Sequence, residues 1–322
     1  MGRVVIAFGG NALIREQERG TWPEQLEHAL EAARVMVALS RTEQLVLTHG
    51  NGPQVGALAL QQAHGEPDAP ALPLNVLGAM TQGEIGYLLQ QALSTVDPWL
   101  PTATVLTRVV VADDDPAFEA PPTKPIGPFY RREEARRIGD ERGWTMAEDA
   151  GRGWRRLVPS PTPLRVLEVE HVRRLVDSGA LVIAGGGGGI PVVWRAGVLT
   201  GVDAVIDKDR SAAELALAVG ADRLVLLTGV PRVALAFGTP EQRDARRLTV
   251  TDALRHLGEG HFPAGSMGPK IEGAARFAQA GGQAIITDIE HLASAIRGQE
   301  GTWIVEDALG PSIVEAPRRL AV

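Results

Sequence analysis

Lys124, Lys208 and Lys270 are the only lysines among 322 residues; with 32 Lys+Arg in total, 32 − 3 leaves 29 arginines. A chain that carries its positive charge on arginine keeps lysine where a compact ammonium is needed and a planar guanidinium does not serve. Lys124 lies in the proline-rich stretch APPTKPIGPFY, and Lys208 lies in the triplet Asp207-Lys208-Asp209. Lys270 follows Gly265-Ser266-Met267-Gly268-Pro269. Pro269 suits a first helical turn, which sets Lys270 near a helix N-terminus. A cation there is unfavourable by several tenths of a kcal/mol, and a bound anion reverses the sign. The three lysines read as ammonium groups sharing one phosphate site. Phosphoryl transfer needs this, because it rests on positioning and on positive charge around the transferring group. The alternative for Lys208 is a solvated surface triplet.

Glycine-rich loops supply the second half of such a site. Gly9-Gly10-Asn11, His49-Gly50-Asn51-Gly52 and the run 185–189 each follow a short apolar stretch that reads as a strand. In open α/β sheets ligands bind at the carboxyl ends of strands. Glycine lets backbone N–H groups approach an anion closely. Two of the three asparagines, Asn11 and Asn51, fall in these loops. No G-x-x-x-x-G-K-[ST] is present, and Ile190 breaks a G-x-G-x-x-G register, so neither a P-loop nor an ordinary dinucleotide fold is expected. His49 and His261 have no ligand-like spacing to another histidine and are read as structural. Met80 and Met267 are read as packing residues.

The elements that must position these groups alternate. Strands are expected over 3–8, 44–48, 103–111, 180–184, 223–228 and 283–287. Helices are expected over 23–40, 77–93, 131–142, 168–177, 211–219, 250–257, 269–280 and 290–296. Alternating β and α segments predict a mainly parallel sheet. Residues 113–163, with many prolines and one charged helix, break the rhythm and read as an inserted subdomain outside that sheet.

Composition sets the class. Hydrophobic content is 44%, charged content 22% and net charge −7, which describes a globular protein. Basic residues cluster no further than pairs such as Arg131-Arg132 and Arg246-Arg247, so nucleic acid is not an expected partner. Cysteine is absent, which removes disulfides, thiolate metal sites and a catalytic thiol. No apolar run reaches the roughly 18 residues of a membrane span, and a cytoplasmic location is expected. Poverty in Lys and Asn fits either a GC-rich genome or a warm habitat.

Read in order, AFGGNAL, THGNGPQVG, AMTQGEIGYLLQQAL, PTKPIGPF, EDAGRGWRRLVPSP, GGGGIPVV, GVDAVIDKD, LLTGV, GHFPAGSMGPKIE and QAIIT span about residues 4–305. Together they resemble the carbamate kinases of the amino acid kinase family. PTKPIGPF and DAGRGWR mark that group, whose relatives lack the inserted subdomain. The resemblance implies a three-layer αβα sandwich with a mainly parallel, eight-stranded sheet and a small protruding subdomain. It also implies a homodimer and the reversible reaction ATP + carbamate = ADP + carbamoyl phosphate with Mg²⁺, run toward ATP in arginine breakdown. A single domain in two lobes follows: about 1–200 for carbamate or carbamoyl phosphate, with a lid over about 113–163, and about 201–322 for the nucleotide. The other readings are a different phosphotransferase of the same family, and a catalytically weak nucleotide-binding protein on this fold.

The same resemblance assigns residues. Gly9, Gly10, Asn11, Gly50, Asn51 and Gly52 would cradle the phosphate, with Gly186 and Gly187 beside them. Lys270 would hold the phosphoryl group from the nucleotide side, Lys208 would touch the phosphates, and Asp207 would orient the lysines. Relatives that make acyl phosphates carry a lysine at the position of Ala7, and Lys124 would supply that charge from the lid. ADP would lie near Thr228, Gly229, Val230, Ser266 and Met267. The chain departs from the family at Pro263-Ala264 and at Ala234, both on the nucleotide side. The segment beyond Val305 has no assigned role.

Overall fold

The computed structural model describes residues 1–9, 13–15, 18–65, 68–149, 151–263 and 265–315. From the N-terminus the elements are β1 (Gly2–Phe8), α1 (Trp22–Leu39), β2 (Glu43–His49), α2 (Gly52–Gly65), α3 (Leu74–Val96), β3 (Thr102–Val105) and β4 (Arg108–Val110). There follow β5 (Lys124–Tyr130), α4 (Arg132–Arg142), β6 (Met146–Glu148), β7 (Trp154–Val158), β8 (Arg165–Val166), α5 (Val169–Asp177) and β9 (Leu181–Ala184). Next come β10 (Ile190–Arg195), β11 (Val198–Gly201), α6 (Lys208–Val219), β12 (Arg223–Leu227), β13 (Val233–Leu235) and β14 (Arg243–Thr249). The last are α7 (Val250–Gly258), α8 (Met267–Gln279), β15 (Gln283–Thr287), α9 (Leu292–Ile296), β16 (Thr302–Val305) and β17 (Ile313–Val314).

The main sheet runs β13-β14-β16-β15-β12-β1-β2-β9-β3, with β17 also paired to β14. Its middle, β15 through β3, is parallel; β16 runs against β15, and β13 and β17 run against β14. Among the described residues the sheet has ten strands rather than the eight expected, two of them, β13 and β17, being short strands that pair only with β14. The middle strands (VVIAF, LVIA, RLVLL, QAIIT) are continuously apolar, as strands covered on both faces must be.

Strand alternation divides the core into two layers. Val4, Ile6 and Phe8 point to one face and pack with α1, α3 and α9. Val5 and Ala7 point to the other and pack with residues of α5, α6, α7 and α8. The result is a three-layer αβα sandwich. Every strand of the parallel middle delivers its C-terminal loop to the same edge, which is how loops distant in sequence meet.

Several boundaries move. The expected strand over 103–111 is two strands: β3 joins the main sheet, and after Leu106-Thr107 β4 joins a separate sheet, β11-β10-β4-β8. Helix α2 and the β10–β11 hairpin fall in stretches where the pattern predicts no element. Helix α6 begins at Lys208, not at 211, because Asp207 caps it: its side chain accepts from the N–H groups of Asp209 and Arg210. Helix α8 begins at Met267, two residues before Pro269, and α9 is trimmed to Leu292–Ile296.

Within 113–163, β5, β7 and β6 form a third, antiparallel sheet with α4 against it. Tyr130, Ala135 and Ile138 are its own small core, with Trp144, Met146 and Trp154 at the edge. Among the described residues no helix is long and apolar enough to cross a membrane.

Candidate active site

The three lysines converge, and two carboxylates hold them. Lys124 Nζ donates to Asp207 Oδ2 at 2.5 Å. Asp207 Oδ1 accepts from the Asp209 backbone N–H at 2.9 Å, so one side chain caps α6 and pairs with β5. Asp209 takes Lys208 on Oδ1 and Lys270 Nζ on Oδ2, the latter at 3.0 Å. Asp207, Asp209 and Lys270 are 7%, 4% and 8% exposed. The Asp207-Lys208-Asp209 triplet is therefore no surface feature. Asp209, which the sequence reading gave no role, anchors Lys208 and Lys270, while Asp207 anchors Lys124. Its signal lay in its alternation with Asp207 around Lys208.

Three ammonium groups against two carboxylates leave one positive charge in excess. Burying it is costly unless an anion completes the set. Lys124 is the most open member, its side chain 28% exposed. Burial raises the Asp207 carboxyl, but Lys124 and then Lys208 outweigh this and hold it well below the usual carboxylate range. Asp209 is also raised by burial and brought down by Lys208 and Lys270. Lys208 is pushed below the usual lysine range by burial, and the Lys270 ammonium adds to this against the pull of Asp209.

The glycine loops meet beside this cluster at the carboxyl ends of β2 and β9. In the 185–189 run, Gly185, Gly187, Gly188 and Gly189 all have positive φ, a conformation that L side chains strongly disfavour. A side chain would also not fit: a Cβ on Gly187 would stand 2.2 Å from Asn51 Nδ2, and one on Gly186 2.3 Å from His49 Nε2. The run is tied down by Thr48 Oγ1 to Gly185 O at 2.9 Å, Gln82 Nε2 to Gly186 O at 2.9 Å, and Gly185 N–H to Thr107 Oγ1 at 2.9 Å. Asn51 donates to Thr81 Oγ1 at 2.8 Å. His49 is buried, lies 3.1 Å from the Gly50 carbonyl, and is kept neutral by burial with its pKa lowered to about 4, which agrees with a structural role.

A cavity of about 1640 Å³ opens on the cluster. Its wall includes Lys124, Asp207, Lys208, Gly50, Asn51, Gly52 and Gly187. Lys270 stands one residue behind Pro269, which is on the wall. Three helices start at this edge, α2 at Gly52, α6 at Lys208 and α8 at Met267, and helix N-termini favour anions. The third sheet and its β6–β7 connection contribute Phe129, Asp149, Arg152 and Arg155 to the wall; all four lie in PTKPIGPF and DAGRGWR, though neither motif had given them an individual role. Both guanidinium groups lie 5.0 Å from the Phe129 ring centroid, a cation–π distance.

Other expected site residues stand elsewhere. Gly9 adjoins the end of β12, a Cβ there lying 3.4 Å from Leu227 O. Thr228, whose N–H donates to Thr287 O at 2.8 Å, and Gly229 and Val230 sit just past β12 and off the cavity wall. Ser266 is exposed, its carbonyl 3.4 Å from Lys270 Nζ, and Met267 packs on the core. Met80, expected to pack, is 40% exposed on α3. Ala234 pairs with Asp244 in β13, and the Pro263 carbonyl accepts from Gly268 N–H at 2.9 Å. Gly10, Asn11 and Ala264 lie outside the described residues. His261 does have a histidine neighbour: with His256 and Glu259 it brings ligand-type atoms within 4.8 Å of one another. The group is already partnered, however, with Glu259 between both rings, Arg255 on His256 and the Ala236 N–H on His261.

The profile of the Amino acid kinase family matches residues 2–288. Carbamate kinase of Thermococcus kodakarensis is 45% identical over 318 residues, 95% of this chain and 100% of that protein. Carbamate kinase from Giardia lamblia bound to citric acid superposes with TM-score 0.90 at 40% identity, over 95% of this chain and 99% of that one. The same Giardia enzyme bound to AMP-PNP gives TM-score 0.86 at 40% identity, over 95% and 99%. A lysine-rich centre at the carboxyl edge of this sandwich, full-length similarity and a shared fold agree: the chain belongs to the amino acid kinase family, among its carbamate kinases, and is a phosphotransferase.

Proposed function

We propose that the chain is a carbamate kinase, catalysing the reversible transfer ATP + carbamate = ADP + carbamoyl phosphate. The observation that carries this is the excess positive charge of the Lys124–Lys208–Lys270 cluster, opening through Lys124 onto a cavity walled by glycine loops and helix N-termini. A terminal ADP oxygen bonds to the phosphorus of carbamoyl phosphate while its bond to the carbamate oxygen breaks, giving ATP and carbamate. Lys124, Lys208 and Lys270 stabilise the charge on the transferring group. Asp207 and Asp209 fix the ammonium groups without reacting. On this reading Gly50, Asn51, Gly52 and Gly187, which line the cavity, cradle the phosphate, with Gly186 beside them; Gly9, Gly10 and Asn11 are assigned to the cradle, and Thr228, Gly229, Val230, Ser266 and Met267 to the nucleotide, by resemblance alone.

The implied Mg²⁺ would neutralise nucleotide phosphate charge. Asp207 and Asp209 each have both oxygens engaged by lysines or backbone N–H groups. The cluster therefore offers no open carboxylate, and the ion would be held through the nucleotide phosphates and water. The segment 113–163 serves as the lid, excluding water from an acyl phosphate. On this reading the lobe over about 1–200 binds carbamate or carbamoyl phosphate and that over about 201–322 the nucleotide. Making ATP in arginine breakdown in the cytoplasm, as a homodimer, completes the reading. The assay is ATP formation from ADP and carbamoyl phosphate with Mg²⁺. Turnover is expected, and none from well-folded protein refutes the proposal.

A further inference from the structure

Helix α2 and strand β5 touch backbone to backbone. A Cβ built on Gly56 would stand 1.8 Å from Gly127 Cα and 2.1 Å from Gly127 N. Ordinary contact begins near 3.4 Å, so α2 and β5 would have to part by roughly 1.5 Å to admit one methyl group. Gly127 has φ +82, and its carbonyl accepts from Arg155 Nε at 2.9 Å, with Arg155 in turn bound to Asp149 at 3.1 Å. Around this contact Val55 and Ala59 of α2 share an apolar cluster with Ile126 and Val158 of the third sheet. Lys124 opens the same strand, three residues before Gly127, and meets Asp207 at 2.5 Å.

We infer that Gly56 and Gly127 are positioning residues for Lys124: their side-chain-free contact is the seat that sets the third sheet low enough on α2 for the ammonium to reach the α6 N-terminus. This rests on the reading above, in which Lys124 acts on the transferring phosphoryl group. Alternative causes of loss in Gly56→Ala are limited, because alanine favours helix over glycine by about 1 kcal/mol and α2 itself gains. The separation moves β5, with Lys124, or α2, whose first residue Gly52 lines the cavity, and the double variant with Lys124→Ala distinguishes the two. A misplacement of about 1 Å can cost about 100-fold in rate.

The experiment measures ATP formation from ADP and carbamoyl phosphate by Gly56→Ala, Lys124→Ala, the double variant, and Gly65→Ala. Gly65 lies on the same helix with nothing within 4 Å of its Cβ position, and wild-type turnover is expected of its variant. Gly56→Ala should lose about 10- to 100-fold in kcat while KM for ADP stays within about twofold. In the Lys124→Ala background Gly56→Ala should cost nothing further, since its effect passes through that ammonium. Near-normal kcat in Gly56→Ala, or a full additive loss in the double variant, overturns the inference while leaving Lys124 in the mechanism. Normal turnover in Lys124→Ala overturns the reading of the site and the inference with it. Should Gly56→Ala fail to fold, Gly127→Ala perturbs β5 from the other side of the contact, through its backbone rather than by a clash, and the same double variant with Lys124→Ala is measured: additive losses there overturn the inference. A Cβ on Gly127 would meet Gly56 at 3.4 Å, but its backbone disfavours any side chain, so the strain falls on the third sheet alone.

Discussion

At the scale of single residues the site is a balance of charge. Lys124 bonds Asp207 in a two-atom geometry that a bulkier, planar guanidinium does not reproduce. Lys124→Arg should therefore lower kcat at least tenfold, about 1.4 kcal/mol of transition-state stabilisation, and unchanged turnover would remove Lys124 from the mechanism. His49 makes a separate prediction about stability. Its folded pKa, about 4, lies below the ordinary 6.5, so the unfolded chain binds the proton first. Its contribution is complete above pH 6.5 and falls as pH drops toward 4. Between about pH 7.5 and about pH 5 this amounts to about 2 kcal/mol. Urea midpoints should show a shallower pH dependence in His49→Asn than in wild type, and identical slopes would contradict a buried neutral ring. The lysines stood out in the sequence because the composition is arginine-biased. Asp209 did not, because carboxylates are common and only the fold shows which are buried.

Secondary-structure elements supply the reach. Asp207 was legible as a charged residue but not as the cap of α6, and that cap moves the helix start to Lys208, at the cluster itself. The glycine run was legible as a strand-end loop. What its glycines accommodate was not, since Asn51 and His49 arrive from another strand. Gly187→Ala combines a disfavoured φ of +66 with a 2.2 Å clash on Asn51. A loss of about 2–4 kcal/mol in stability is expected, with turnover down at least tenfold. Gly197→Ala, at φ +78 but with open space around it, is the comparison: calorimetry should find only the backbone strain, about 1–2 kcal/mol, and equal losses in the two variants would deny the clash a role.

At the scale of the whole molecule, an apolar face remains uncovered. Trp22 of α1 stacks on Tyr87 of α3 at 5.7 Å, and Tyr87 is 60% and Met80 40% exposed. Aromatic residues and methionine are enriched in subunit interfaces, and this face suits the proposed homodimer. Sedimentation should give twice the monomer mass, with Tyr87→Glu shifting the protein toward monomer; a wild-type monomer at micromolar concentration would exclude the dimer.

The sequence by itself determined the class of fold, because buried parallel strands must read as continuous apolar runs and their helices as amphipathic ones. It also determined which residues could carry charge to a phosphate. It did not determine which carboxylate holds which lysine, how β3 and β4 part into different sheets, or how closely β5 approaches α2. Those depend on contacts between residues far apart in the chain, such as Lys124 with Asp207, Lys270 with Asp209, and Gly56 with Gly127. Local periodicity has no term for such pairs; only the packed tertiary structure sets their distances.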